Sequence, residues 1–584
     1  MYTRNAKIIQ KKYREYLIPS VLSTAALAAA ALVDNILVGT FLGAEAIAGL
    51  GACNPFIAFG NAIFLLFSVG SSTVASIALG ERNKDKANKS YSTGIYFGFL
   101  FCLAIVLLLE FFAPQICRMM CYGNDQLAVN MCTYLRPLLF TYPMLFITLG
   151  IAQFMRIDGH PKMASYIAVV ANLINLVFDY VFIKYMKMGI TGAGLSTTLG
   201  YASAIFMVLP WLFSKDKSFK LVNIWTAVKL VFKEVLPAGS ERFFYYVADV
   251  VKNIVLNLMI LHFLGSAGLS VLTVCITLIF FSTSITNGGA EAFRPIVGSL
   301  LGAKDLFGIK ECVKSALKFV LSGCVVFTLI LFFFSLQVAG LFGLNGGDTA
   351  AIVPTAFRFL AVSYIFIGLT TVLQAHYNTT KRHKIATTMS VLSNMVYLCA
   401  FIFLFALIRP TILWAGFPSS YIATLITTYI YVLFIQKKEK VSGYLLLQKP
   451  SDDMIIHSVT IEATKESAIG LSKQIIENAS FLQLDSTTTN HIAVAVEEMA
   501  IMAADKVKVG QKPPLIDILF VLDKNEKTVS FRDNGIPFNP LEEDSQKSEN
   551  ESNVPGSSTH LLKSIAKSAD FSRQLGFNTT VLSF

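Results

Sequence analysis

Phe41-Leu42-Gly43 returns as Phe263-Leu264-Gly265. Working outward, Leu79-Gly80 returns as Leu301-Gly302, Lys162 as Lys384 and Asn172 as Asn394. Each pair is 222 residues apart (263 less 41, 301 less 79). A constant offset over that distance marks a duplicated structural unit. In a membrane protein, duplicated bundles supply what alternating access needs, two units that rock around a central site.

The composition places the chain in a membrane. Hydrophobic residues make up 54% of the 584 and charged residues 15%, with a mean hydropathy of +0.60. A water-soluble fold could not bury so much apolar side chain. Apolar stretches of about 20 residues, each long enough to span a bilayer, begin near Leu17, Ile47, Tyr91, Met131, Ser165, Gly189, Val231, Ala267, Ala316, Ile352, Ala386 and Trp414. The expected fold is therefore an all-α polytopic membrane protein of twelve transmembrane helices in two six-helix, pseudo-symmetric lobes. An even number of spans per copy puts the symmetry axis along the membrane normal. The expected boundaries are 1–214 for the first lobe, 215–230 for an inter-lobe loop and 231–440 for the second lobe. A linker at 441–449 and a soluble domain at 450–584 follow.

The net charge of +11 does not point to nucleic acid, because no aromatic-interleaved basic patch accompanies it. Lys and Arg instead concentrate in alternate loops, around 7–14, 82–89, 160–162, 215–220, 304–310, 381–384 and 437–440. This positive-inside pattern places both termini in the cytoplasm, with the chain in a bacterial inner (plasma) membrane. The basic start runs straight into the first span, unlike a cleavable signal peptide. All nine Cys precede residue 400. Cys117 and Cys121 fall near an outer loop and could pair there, but read more simply as small apolar residues in helices. No Cys/His spacing fits a metal centre.

Asp34 lies deep in the first span, in Ala31-Leu-Val-Asp-Asn-Ile-Leu-Val38. A carboxylate there costs about 2.5–3.5 kcal/mol on insertion scales unless it faces a cavity or a partner. Asn172, Asn175 and Asp179 follow i, i+3, i+7 spacing and share one face of span five. Hard oxygen donors on one stripe suit a small cation or a proton relay. Interhelical hydrogen bonding by Asn is the competing reading, and it has weight for Asn172, whose repeat partner Asn394 has no nearby carboxylate. In the second half, Asp249–Lys252 and Glu291–Arg294 are i, i+3 pairs able to neutralise one another. Together with Glu241, these residues are candidates for substrate contact or for structural ion pairing.

Several ordered motifs resemble the multidrug and toxic compound extrusion (MATE) family over about residues 10–440. They are Val33-Asp-Asn-Ile-Leu-Val-Gly39 with Phe41-Leu-Gly-Ala-Glu-Ala46 and Asn54-Pro55, then Arg156-Ile-Asp-Gly-His-Pro-Lys162, then Arg294-Pro-Ile-Val-Gly298 with Leu301-Gly-Ala-Lys304. The resemblance implies twelve helices and export driven by inward Na+ or H+, with small organic, often cationic, substrates. It also implies a cation site at Asp34, Asn175, Asp179 and Thr197. Other members of that family use a carboxylate on span seven. Here Glu241 and Asp249 stand in a different register.

Past residue 440 the composition changes. A strand near Ser458–Ile461, helices near Lys465–Asn478 and Ser486–Lys506, paired strands at Leu515–Leu522 and Thr528–Arg532, a further helix and a terminal hairpin alternate as in an α/β sandwich. Ala493-Val-Ala-Val-Glu-Glu-Met-Ala-Ile-Met502, Asp533-Asn-Gly-Ile-Pro-Phe538 and Gly556-Ser-Ser-Thr-His-Leu-Leu562 resemble the boxes of histidine-kinase-like ATPases, closest to anti-sigma-factor serine kinases. The resemblance implies adenine recognition by Asp533, with Gly535 in the same box, a catalytic role for Glu498 and phosphate approach at Gly556. Met502 stands where the family's Mg2+-holding Asn is expected, and Ser558 where a second Gly is expected. Methionine is a poor ligand for Mg2+, so the expectation is a degenerate domain without kinase or ATPase activity. It would sense ATP or bind a cytoplasmic regulatory protein.

The leading expectation is a cation-coupled exporter with a regulatory tail, not an enzyme. The alternatives are a membrane-tethered signalling protein and a lipid-linked precursor flippase.

Overall fold

In a computed structural model, residues 4–42, 46, 50–51, 53–121, 125–215, 217–342, 347–439, 441, 443–447, 454–480, 482–506, 513–523, 527–542 and 558–584 are described. Eleven described helices are long and apolar enough to cross a membrane. They are α1 (Lys7–Leu42), α2 (Asn54–Gly80), α3 (Lys84–Met120), α4 (Ala128–Ile157), α5 (Pro161–Tyr185), α6 (Gly189–Leu212), α7 (Trp225–Gly302), α8 (Leu306–Phe333), α9 (Thr349–Thr379), α10 (His383–Ile408) and α11 (Pro410–Glu439). Helices close all their backbone hydrogen bonds internally, as hydrocarbon requires. Large apolar side chains such as Phe111 and Phe206 stay about three-quarters exposed, at 74% and 76%, which suits a lipid-facing surface.

The stretch expected to hold spans seven and eight is a single run, α7. Its backbone leaves helical geometry at Gly265 (φ +65°), the Gly of the repeated Phe-Leu-Gly. Only a residue without Cβ takes that conformation at little cost. α1 ends at Leu42, just before the equivalent Gly43. The repeat also appears in helix ends. Gly80 and Gly302 close α2 and α7, and α3 and α8 start at Lys84 and Leu306. The caps correspond as well. Asn83 accepts the Lys86 N–H at 2.9 Å, and Asp305 accepts the Gly308 N–H at 2.8 Å.

Two apolar cores result. One is built from the end of α1, α2 to α6 and the start of α7, and the other from the rest of α7 through α11. The first turns of α1 begin ten residues before the apolar stretch at Leu17. Their apolar face (Ile8, Ile9, Tyr13, Tyr16) packs into the second core. Cys117 and Cys121 are buried free thiols.

The bundles approach closely along α2 and α7, from the middle of α2 to its end beside the basic loops. A Cβ on Gly239 would fall 1.8 Å from the Leu66 carbonyl oxygen, and one on Gly80 2.2 Å from that of Ser299. Backbone therefore meets backbone here, which only glycine permits.

The C-terminal region is a two-layer unit. Strands β1 (Ile455–Glu462), β2 (Leu515–Leu522), β3 (Lys527–Asp533), β4 (Ser568–Gln574) and β5 (Phe577–Ser583) form one antiparallel sheet in the order β1-β2-β3-β5-β4. Helices α12 (Lys465–Glu477), α13 (Ser486–Asp505) and α14 (Ser558–Ile565) complete it. Alternation along the strands divides the faces. Ile516, Ile518, Phe520, Val529 and Phe531 pack with α12 and α13. Asp517 and Arg532, on the other face, meet the basic end of the helical bundles.

Candidate functional site

A cavity of about 390 Å³ lies between the bundles, bordered by α1, α2, α4, α5, α6 and α7. Asp34 projects from α1 into it, eight residues before the helix end, and Asn172, Asn175 and Thr197 line it from α5 and α6. The helical spacing does what the sequence requires, because Asn175 and Asp179 are one turn apart. Asn175 Nδ2 donates to Asp179 Oδ2 at 3.1 Å, with Ser196 Oγ at 3.3 Å and Thr197 Oγ1 at 3.4 Å. Ser196 donates to the other oxygen of Asp179. Asp179 is fully buried, and its carboxyl lies next to that of Asp34, close enough for the two to interact. Asp34 Oδ1 is buried without a partner among the described residues.

The structure thus brings Asp34, Asn175, Asp179 and Thr197 together and adds Ser196. Sequence reading missed Ser196, although it adjoins Thr197 in Leu195-Ser-Thr-Thr198. The available signal was the small-residue face of α6, where a Cβ on Gly200 would lie 2.8 Å from Asn175 Cβ. Asn172 donates to its own helix at Ala168 O (2.7 Å), and Asn394 does the same at Ser390 O (3.0 Å). This bond is common to both copies, which fits a structural role.

The ionisable residues of α7 divide differently from the expected pairs. Asp249 does pair with Lys252 and accepts from Asn253 Nδ2 at 3.1 Å, but it does not border the cavity. The expected Glu291–Arg294 pair is not what forms. Arg294 reaches Glu241 instead, at 3.1 Å, and Glu291 takes Arg156 of α4 at 3.2 Å. Glu241 is buried between Arg294 and Arg242, so it offers the stronger electrostatic partner. The Arg156–Glu291 pair joins the two bundles across the cavity floor. Arg294 Nε and Nη1 and Arg156 Nε are buried without partners among the described residues.

In the C-terminal unit, Asp533 is buried, and its Oδ1 already accepts Gly535 N–H and Asn578 Nδ2, both at 2.9 Å. Burial raises the Asp533 pKa, against the effect of those two bonds. Glu498 is half-buried on α13, and Met502 packs against the apolar core. Gly556 lies outside the described residues.

A duplicated helical bundle around a central cavity, with buried carboxyls beside it, is a membrane-transporter architecture. The family model MatE matches residues 19–181 and 243–404, and the chain belongs to the MATE family of transporters. It is similar to the probable multidrug resistance protein YoeA of Bacillus subtilis, with 20% identity over 73% of this chain and 94% of that protein. It is also similar to the multidrug export protein MepA of Staphylococcus aureus (strain MRSA252), with 24% identity over 69% and 89%. Among solved structures, the outward-facing conformation of a multidrug resistance MATE transporter matches with a TM-score of 0.67 and 18% identity, over 76% of this chain and all of that one. A transporter of the same superfamily from Pyrococcus furiosus, titled for the reverse polarity of its binding pocket, matches with a TM-score of 0.68 and 18% identity, also over 76% and 100%. The family match stops before the C-terminal unit.

Proposed function

We propose that this chain exports small organic compounds in exchange for Na+ or H+ and that the coupling site is Asp34, Asp179, Asn175, Ser196 and Thr197. MATE transporters are cation-coupled antiporters in general, and the observation that carries the assignment here is the Asp34–Asp179 contact. Two ionised carboxylates about 4 Å apart repel by about 4 kcal/mol at an effective dielectric of 20. The pair therefore needs one shared proton or one small cation to stay together. Asn175, Ser196 and Thr197 supply neutral oxygens for either. Uptake of the cation closes the first bundle around the pair, and its release lets the cavity re-form for substrate. The run α7 counts as two spans divided at Gly265, giving twelve, with lobes at 1–214 and 231–440. The basic end faces the cytoplasm of a bacterial inner membrane. The glycine-mediated closure at that end makes this an outward-facing state.

The test is counterflow in proteoliposomes under imposed Na+ or pH gradients, with a lipophilic cationic dye as substrate. Asp34→Asn should abolish gradient-driven export while the protein stays folded. Unchanged export would remove Asp34 from the mechanism.

The arginines at the cavity floor favour a second reading, in which the substrate bears an anionic group, as in a flippase for lipid-linked precursors. Competition of dye export by an organic anion but not by organic cations would support it.

We assign residues 450–584 to a regulatory domain of histidine-kinase-like ATPase fold. Its residues do not fit Mg-nucleotide. Asp533 is engaged by Gly535 and Asn578, and Met502 belongs to the core.

A further inference from the structure

The tip of the β4–β5 hairpin carries a short, unusual turn. Leu575 and Gly576 both have positive φ, +55° and +77°. A leucine rarely adopts that region, and this one is 4% exposed. An apolar side chain at a hairpin tip ordinarily faces water. Leu575 and Phe577 instead belong to the apolar core of the second bundle.

The contacts explain why. Gln574 Nε2 donates to the Leu79 carbonyl of α2 at 2.7 Å, and its Oε1 accepts Ser299 Oγ of α7 at 3.1 Å. One buried amide thus ties the ends of both bundles. Leu575 N–H donates to Ile157 O at the end of α4 (3.2 Å). Gly159 packs against the turn so closely that a Cβ there would fall 2.4 Å from Gly576 N. Lys12 sits 4.5 Å over the ring of Phe577. Leu79 and Ser299 flank the glycine contact at Gly80 that closes the bundles on this side. Such a tip matches these ends only while they stay together.

We propose that this tip is a docking surface whose partner is the paired cytoplasmic ends of the two lobes, so that the docked domain clamps the transporter closed on that side. A rocking motion that opens the cytoplasmic side separates Leu79 from Ser299, and Gln574 cannot then hold both. The docked domain binds one conformation and not the other, which is the condition for shifting their populations. Each transport cycle requires the tip to withdraw from at least one lobe. Whatever holds the domain down slows export, and whatever lifts it speeds export. This deepens the regulatory reading of residues 450–584 and rests on it.

The test is amide hydrogen exchange on the full chain in lipid nanodiscs, comparing wild type with Gln574→Ala and Gln574→Glu. The glutamate keeps the acceptor for Ser299 and loses the donor to Leu79. In the alanine variant, exchange at the ends of α2 and α7 should rise at least tenfold, while β1 to β3 keep their protection. In the glutamate variant the rise should be larger at the α2 end. Unchanged exchange at both helix ends, or a change confined to the hairpin, would overturn the clamp. Loss of protection in β1 to β3 in one variant would move the decision to the other. Dye export by the same variants separates the two claims. Faster exchange with unchanged export would leave the clamp in place and remove its regulatory role.

Discussion

Asp305 is the residue whose replacement tests the domain junction most directly. It is fully buried and holds Arg4 at 2.5 and 2.7 Å and Arg532 at 2.8 Å, while Asp517 takes Arg4 at 2.7 Å and Arg532 at 3.8 Å. All four side chains are 8% exposed or less, and their charges cancel. Asp305→Asn leaves two buried guanidiniums sharing one carboxylate. The substitution is nearly isosteric, and the cap should survive, because Asn83 makes the same bond at the equivalent position of the first copy. The change thus keeps the shape while removing the charge and turning the oxygen that faces Arg4 and Arg532 into a donor. Breaking a buried pair from one side costs about 3–5 kcal/mol. Asp517 remains, so we take the lower end, about 3 kcal/mol, or about a hundredfold in the docking equilibrium. The assay is protection of the Leu575 amide, whose acceptor is Ile157 O across the junction. It should fall by about a hundredfold, with protection in the sheet core unchanged. A fall of less than threefold would show that this cluster does not hold the domain on the bundles.

The same cluster sets a pH dependence. Burial raises the Asp305 pKa, but Arg4 and Arg532 outweigh it and hold the group below the ordinary carboxylate value. A lowered folded pKa gives stability that is present above the unfolded value of about 4 and lost as pH falls through the folded one. The Asp305 contribution should therefore be flat from pH 8 to 5 and weaken docking only below about pH 4, whereas burial raises the Asp517 pKa above its ordinary value and acts in the opposite sense. Read as Leu575 protection corrected for the intrinsic exchange rate, weakening between pH 7 and 5 would contradict this. At the other contact, Gly80→Leu places a side chain against the Ser299 carbonyl, where even a Cβ would lie at 2.2 Å. This should destabilise the closed basic end and expose it to a membrane-impermeant probe from that side, and an unchanged labelling pattern would show that the backbone contact is not what closes it.

The sequence announced the bundle through apolar length and the 222-residue offset, because hydrocarbon forces every spanning segment into one local structure. It also announced Asp34 and the Asn175–Asp179 stripe, since a carboxylate in an apolar run and an i, i+4 spacing are both local signals. Partners drawn from different helices were not legible. Ser196 is one residue from the Thr that the family resemblance pointed to. The Glu291–Arg294 spacing gave the wrong partner, because Glu241 and Arg156 compete from elsewhere in the fold. The role of Gln574-Leu575-Gly576-Phe577 was invisible for the same reason. As a sequence it reads as a hairpin, and only the docked fold shows that its apolar tip has a destination.

The two copies differ where function would divide them. Asp34 stands opposite Leu256 and Asp179 opposite Phe401, so the proposed cation site has its carboxyls in the first copy alone. Leu256 is 1% exposed in the second core, which leaves no room for water around a charge there. The difference runs the other way at the helix cap. The first copy has neutral Asn83 and the second has Asp305, whose extra charge Arg4 and Arg532 require. A symmetric scaffold can rock about its axis with no preferred state. Placing the driving ion in one copy and the charged anchor of a docked domain in the other gives each a separate purchase on the same motion. Because the hairpin tip touches both copies at their closed ends, the domain acts on the relative position of the copies and leaves the ion site itself untouched. A clamp of that kind changes how often the cycle runs without changing which ion drives it. Gln574→Ala should accordingly alter export rate while preserving the Na+ or H+ dependence that Asp34 confers.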